Sequence, residues 1–167
     1  MRCIADTAPR PTSAGIPHAP APRLRLFQAS DIPSVTEIVA EALREHYDAS
    51  LYLSLSQQWP DGFLVAMDER GGPVGFLLGV SQVEREARIL MFAVHRDWRT
   101  RGVGTALMSS FFTRCKERGY RRITLEVRVS NATAIRFYTR FQFSVVELLR
   151  GYYSDGENGY QMSRTID

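Results

Sequence analysis

The sequence predicts a mixed α+β domain whose central, mostly antiparallel twisted sheet has about seven strands flanked by about four helices. Two patterns predict it. Between Phe63 and Val94, apolar stretches follow one another through connections too short for a crossover helix, which specifies an antiparallel meander. From Ala87 to Arg128 the order is strand, charged turn, amphipathic helix, strand, which specifies a parallel pair joined by a crossover. A chain of 167 residues, 44% hydrophobic and 23% charged, suits one globular domain with a substantial core.

Residues 1–22 hold Pro9, Pro11, Pro17, Pro20 and Pro22 among Ala, Ser and Thr without hydrophobic periodicity. Such a segment buries too little to offset its ordering entropy, so it is expected to be a flexible leader, with a single domain over residues 23–167. Leu24, Leu26 and Phe27 give a first strand. Ser30 or Asp31 is placed to cap a helix with Pro33 in its first turn and Val35, Ile38, Val39, Ala42 and Leu43 as its apolar stripe. His46 to Pro60 carries Tyr47, Leu51, Tyr52, Leu53 and Trp59 with no clean period. Phe63 to Met67 and Val74 to Val83 read as strands around a turn at Asp68 to Gly72, and Ala87 to Val94 as the next strand.

After Val94 a charged turn leads into a helix at Val103. Leu107, Met108, Phe111, Phe112 and Cys115 share one face of that helix, and Gly119 is placed to stop it. Ile123, Leu125 and Val127 alternate with Thr124, Glu126 and Arg128 along a strand. Asn131 to Phe141 reads as a short helix capped by Ser130 or Asn131, and Phe143 to Leu149 and Gly159 to Ser163 as the last two strands.

The turn is the chemically suggestive stretch. Gly102 and Gly104 lack a Cβ, so the backbone can take unusual dihedrals there and another group can approach closely. The first N–H groups of the helix have no internal acceptor and the helix dipole adds positive charge, a combination that suits a phosphate. A solvated strand-to-helix turn is the plainer alternative. The Walker spacing is absent and so is the third glycine of a dinucleotide fingerprint.

Arg99-x-x-Gly102-x-Gly104 resembles the Arg/Gln-x-x-Gly-x-Gly/Ala signature of the GNAT superfamily of acetyl-coenzyme A-dependent N-acetyltransferases. The likeness continues through Leu125-Glu126-Val127-Arg128, Ser130-Asn131-Ala132, Ala134-Ile135, Tyr138 and Tyr152-Tyr153-Ser154-Asp155-Gly156-Glu157. That longer string resembles the RimI and Ard1 branch, which acetylates protein N-termini. The resemblance implies a GNAT-like fold in which a bulge splays two strands into a cofactor cleft. It implies acetyl-coenzyme A as cosubstrate, held by backbone around Phe92, Ala93 and Val94 and by Thr100, Arg101, Gly102, Val103, Gly104 and Thr105, with Asn131 and Tyr138 alongside. Glu126 matches the general base and Tyr138 the group that protonates the departing thiolate. Tyr47, Tyr152 and Tyr153 are expected to meet the acceptor, a protein or peptide N-terminus, a ribosomal protein among the candidates.

Each of these residues also has a structural reading. Glu126 can pair with Arg128, Tyr138 can pack in the core, Asn131 can be only a cap, and Tyr152 and Tyr153 can anchor their loop. The family has Gly where Gln142 stands, so the helix before it is expected to end differently.

Other function classes fit less well. A net charge of +3 is too mild for a nucleic-acid binder, although Arg96, Arg99, Arg101, Arg121, Arg122, Arg128, Arg136 and Arg140 crowd the second half. Cys3 and Cys115, like His18, His46 and His95, are too scattered for a disulfide or a metal site. No apolar run is long enough for a membrane span and no secretory leader is evident, so a cytoplasmic monomer or weak dimer without membrane contact is expected. A GNAT enzyme for small amines or internal lysines, and a noncatalytic coenzyme A-sensing module, are the competing readings.

Overall fold

The computed structural model describes residues 20–167. Cys3, His18 and most of the expected leader lie outside the described residues, and residues 20–22 carry no regular structure. Seven strands follow: β1 (Arg23–Leu26), β2 (Phe63–Met67), β3 (Pro73–Ser81), β4 (Glu86–Val94), β5 (Arg122–Arg128), β6 (Ser144–Leu149) and β7 (Gly159–Thr165). Four α-helices join them: α1 (Ile32–Leu43), α2 (Ala49–Gln58), α3 (Val103–Glu117) and α4 (Ala132–Arg140). The strands form one sheet in the order β1-β2-β3-β4-β5-β7-β6.

β2 to β4 are the expected antiparallel meander, and β4 and β5 the expected parallel pair with α3 as crossover; β1 adds antiparallel to β2 after the two intervening helices α1 and α2. The β2–β3 turn closes because Asp68 Oδ1 accepts from the N–H groups of Arg70 and Gly72, at 2.9 and 2.7 Å. α1 and α2 pack on one face of the sheet with Val35, Ile38, Val39, Tyr52, Phe63 and Phe76. α3 and α4 cover the other face with Leu107, Met108, Phe111, Ile123, Leu125 and Tyr138. β2 is buried at every residue because it lies between both layers.

Two local expectations need correction. Neither Ser30 nor Asp31 caps α1 through its side chain; the buried Asp31 carboxylate accepts from Gln28 N–H at 2.8 Å and from both terminal nitrogens of Arg25 at 2.7 Å. The end of α4 is not unusual either. Gln142 takes the left-handed conformation (φ 63°) that glycine takes at the end of α3, where Gly119 has φ 76°. Its N–H donates to Thr139 O at 2.9 Å and Phe143 N–H to Tyr138 O at 3.1 Å, so the carbonyl bonds gained there outweigh a cost of about 1–2 kcal/mol for the non-glycine backbone.

Candidate active site

The sheet carries a discontinuity at its centre. β4 and β5 are paired only from Glu86↔Arg122 to Ile89↔Leu125; beyond that point Leu90–Val94 and Glu126–Arg128 diverge. The cause lies on the other side of β4. Gly79 faces Ile89 and Leu78 faces Met91, so Leu90 is an extra residue, a β-bulge that bends β4 away from β5.

Backbone donors line the resulting slot. His95 N–H donates to Val74 O at 2.8 Å, so by antiparallel alternation Ala93 pairs with β3 while Phe92 and Val94 turn their backbone groups toward the gap. Ala93, expected to contribute backbone to the cofactor, is therefore committed to the sheet, and its side chain is buried on the α1 side. At the end of the slot the N–H groups of Thr100 to Thr105 meet no acceptor among the described residues. Gly102 opens α3 with φ 81°, and a Cβ added there would meet nothing within 4 Å. Gly104 serves differently. A Cβ there would lie 3.3 Å from the ring of Phe92 and 3.6 Å from that of Phe137, so this glycine lets two aromatic rings close against the first turn of α3.

Arg99, the first residue of the signature, reaches back rather than outward. Its Nε donates to Val94 O at 2.9 Å, and its guanidinium lies 3.5 Å from Glu41 on α1. Arg101 stacks over Trp98, 5.3 Å from the ring centroid. Positive charge at the turn thus comes chiefly from main-chain dipoles, which fits a diphosphate approached by backbone. A donor-lined slot of this kind suits an extended chain ending in phosphates.

Glu126 and Tyr138 flank the slot from opposite faces of the sheet. Leu125 and Val127 point into the α3–α4 layer, so Glu126 points to the other side, while Tyr138 projects from α4 into that layer beside Phe92, with ring centroids 6.3 Å apart. Burial drives the Tyr138 phenol well above its usual pKa, with the neighbouring Tyr153 adding to the shift, so Tyr138 is a protonated donor at neutral pH. Tyr153 is pushed up to about 12, chiefly by burial, with Arg128 opposing and Tyr152, Glu126 and Glu157 reinforcing. Tyr153 therefore lies within electrostatic range of both Glu126 and Tyr138.

Glu126 does not pair with Arg128. Its Oε2 accepts from Arg88 Nε at 2.9 Å, and Arg88 also donates to the Tyr152 hydroxyl at 3.0 Å. Arg128 instead stacks on Tyr153, 4.0 Å from the ring centroid, and donates to Asp155 and Glu157, each at 2.8 Å. Glu157 also accepts from Ser130 N–H at 3.0 Å and from the Ser130 hydroxyl. Those bonds, the Ser130 contact first, hold its carboxyl at about 2, below the usual glutamate value. Asn131 Oδ1 accepts from Ala134 N–H at 3.1 Å and so acts as the α4 cap. Tyr47 sits on the α1–α2 connection, hydrogen-bonded to Glu45 and edge-on to Tyr52.

Sequence reading missed Arg88, and it expected the splaying bulge without placing it at Leu90. A single charge inside the otherwise apolar run Ala87 to Val94 is the signal that points to Arg88. Among the described residues, no group of three His, Cys, Asp or Glu could hold a metal, and no helix is long and apolar enough to cross a membrane.

Comparison with known proteins agrees with this geometry. The chain is 42% identical to Ard1 from Thermoplasma volcanium, covering 88% of this chain and 99% of that one at a TM-score of 0.84. It is 37% identical to an uncharacterized N-acetyltransferase of Methanocaldococcus jannaschii, over 83% of this chain and 88% of the relative. It is also 33% identical to an N-alpha-acetyltransferase of Sulfolobus acidocaldarius, over 86% of this chain and 92% of that protein. The family model described as "Acetyltransferase (GNAT) family" matches residues 32–143, which span α1, the bulged strand, the Gly102 turn and α4. With slot, turn and sequence in agreement, the chain belongs to the GNAT acetyltransferase family.

Proposed function

We propose that this protein transfers the acetyl group of acetyl-coenzyme A to the α-amino group of protein N-termini, acting in the cytoplasm through a single domain over residues 23–167. The parting of β4 and β5 past Ile89 and Leu125, with unpaired backbone donors along it, is the observation that carries the reading. The Ard1 and N-alpha-acetyltransferase relatives support the choice of acceptor.

In this reading the donors from Thr100 to Thr105 take the diphosphate, and the backbone of Phe92 and Val94 aligns the pantetheine arm. The thioester is thereby fixed where attack is intramolecular in effect. An N-terminal amine has an ordinary pKa of about 7.7–8.0, so part of it is neutral at physiological pH. That amine attacks the thioester carbonyl from the Glu126 side. A C–N bond forms and the C–S bond breaks; Glu126 takes the amine proton, directly or through one water, and Tyr138 hydrogen-bonds or protonates the leaving sulfur. Tyr47, Tyr152 and Tyr153 flank the incoming peptide.

The test is incubation of the full chain with acetyl-coenzyme A and a peptide library varied at its first two residues, alongside lysine-containing N-blocked peptides and spermidine, with products mapped by mass spectrometry. Acetylation on the α-amine is expected. Acetylation confined to lysine or spermidine, or no transfer at all, would overturn the proposal. Ribosomal-protein N-termini in the same library test that narrower acceptor.

A further inference from the structure

Arg88 is the one charged side chain inside the apolar run Ala87 to Val94, and it stands where β4 and β5 are still joined, opposite Thr124. Its side chain reaches up to the first residue of the open half. Nε and a terminal nitrogen both lie 2.9 Å from the same oxygen of Glu126, Oε2, and a terminal nitrogen also donates to the Tyr152 hydroxyl at 3.0 Å. Glu126 Oε1 accepts no hydrogen bond among the described residues, and the Glu126 side chain is 11% exposed against 27% for Arg88. One carboxylate oxygen is pinned and the other left available.

We propose that Arg88 is a positioning residue for acetyl transfer. It fixes the rotamer of Glu126 with Oε1 free for the amine proton, and through Tyr152 it ties that carboxylate to the loop that flanks the peptide. Seating of the peptide and orientation of the base are then one event. A planar guanidinium can engage Glu126 and Tyr152 together, whereas an ammonium at the end of a flexible stem holds them less rigidly. This inference rests on the role of Glu126 proposed above.

The experiment measures kcat, peptide KM and acetyl-coenzyme A affinity for the full chain and for Arg88→Met, Arg88→Lys, Tyr152→Phe, Glu126→Gln and the Arg88→Met/Glu126→Gln pair. Arg88→Met is expected to lower kcat about tenfold or more with cofactor affinity unchanged, and Arg88→Lys to recover part of that loss. Tyr152→Phe, which cuts only the tie to the loop, is expected to raise peptide KM a few-fold and to lower kcat by less than Arg88→Met does. On the Glu126→Gln background, Arg88→Met should add little, since contacting residues acting through one group are non-additive. A kcat for Arg88→Met equal to that of the parent, or losses that multiply in the pair, would overturn the proposal while leaving α-amine acetylation by the parent standing. A parent chain that acetylates no α-amine overturns both. Should Arg88→Met fail to fold, the kcat of Arg88→Lys and the KM of Tyr152→Phe decide, both unchanged meaning the proposal is wrong.

Discussion

At its lower end the β4–β5 pair is ordinary sheet: Glu86 to Ile89 ladder onto Arg122 to Leu125, and Ala87, Ile123 and Leu125 are sealed in the core at 0%, 0% and 1% exposure. At its upper end the same strands have parted, Phe92 and Val94 offer backbone to the gap, and Glu126 stands at the rim. The difference teaches that the site is made by withholding a ladder rather than by adding a structure. Hydrophobic burial in the closed half secures the fold, so the open half can leave polar groups unpaired.

Mutations in the two halves should therefore separate activity from stability. The largest effect is expected in the open half. Glu126→Gln should lower kcat about a hundredfold to ten-thousandfold, the usual range for a positioned acid or base, with the thermal midpoint little changed. Steady-state rates at saturating peptide beside calorimetric melting provide the check, and a normal rate would remove Glu126 from the chemistry.

In the closed half the pattern reverses. Leu125→Ala should cost about 2–5 kcal/mol by denaturant titration, the range for a large-to-small change in a packed core, while acetyl-coenzyme A affinity per folded molecule holds. Gln142→Gly touches neither half, because Gln142 is exposed and its left-handed backbone is the only thing relieved. Allowing for the greater chain entropy of glycine, a gain of about 0.5–1 kcal/mol is expected from the shift in urea midpoint, with kcat unchanged.

The smallest effect concerns acid and the Arg128–Glu157 pair at the top of β5. The folded pKa of Glu157 lies below its ordinary value of 4.5, at about 2. Its contribution is therefore complete above about pH 4.5 and lost as pH falls toward 2. The Ser130 amide resonance should titrate with a midpoint near 2; a midpoint near 4.5 would mean that the bonds to Ser130 and Arg128 do not hold the loop in solution.

Much of this division is visible in the sequence. Hydrophobic periodicity and connection length define the meander, the crossover and the faces of α1 and α3, because burial repeats along the chain. Glu126, Tyr138 and the Gly102 turn are legible through motif spacing. Arg88 is not, since its partner lies 38 residues away and strand register is a tertiary property. Gly104 is legible as a glycine but not as the neighbour of Phe92, and Ala93 reads as cleft backbone until the alternation of β3 bonds is known. α2 escapes a periodicity search because Tyr52 and Leu55 are its only buried side chains.

The extra residue in β4 also bears on how such a molecule can change over generations. Ala87 and Ile89 face the α3 layer below the bulge, Phe92 and Val94 face it above, and Met91 and Ala93 face α1. Removing Leu90 would join Ile89 directly to Met91 and keep every one of those side chains on its present face. A sealed sheet with an intact core and no passage for a thioester thus lies a single lost codon away, and so does the route back.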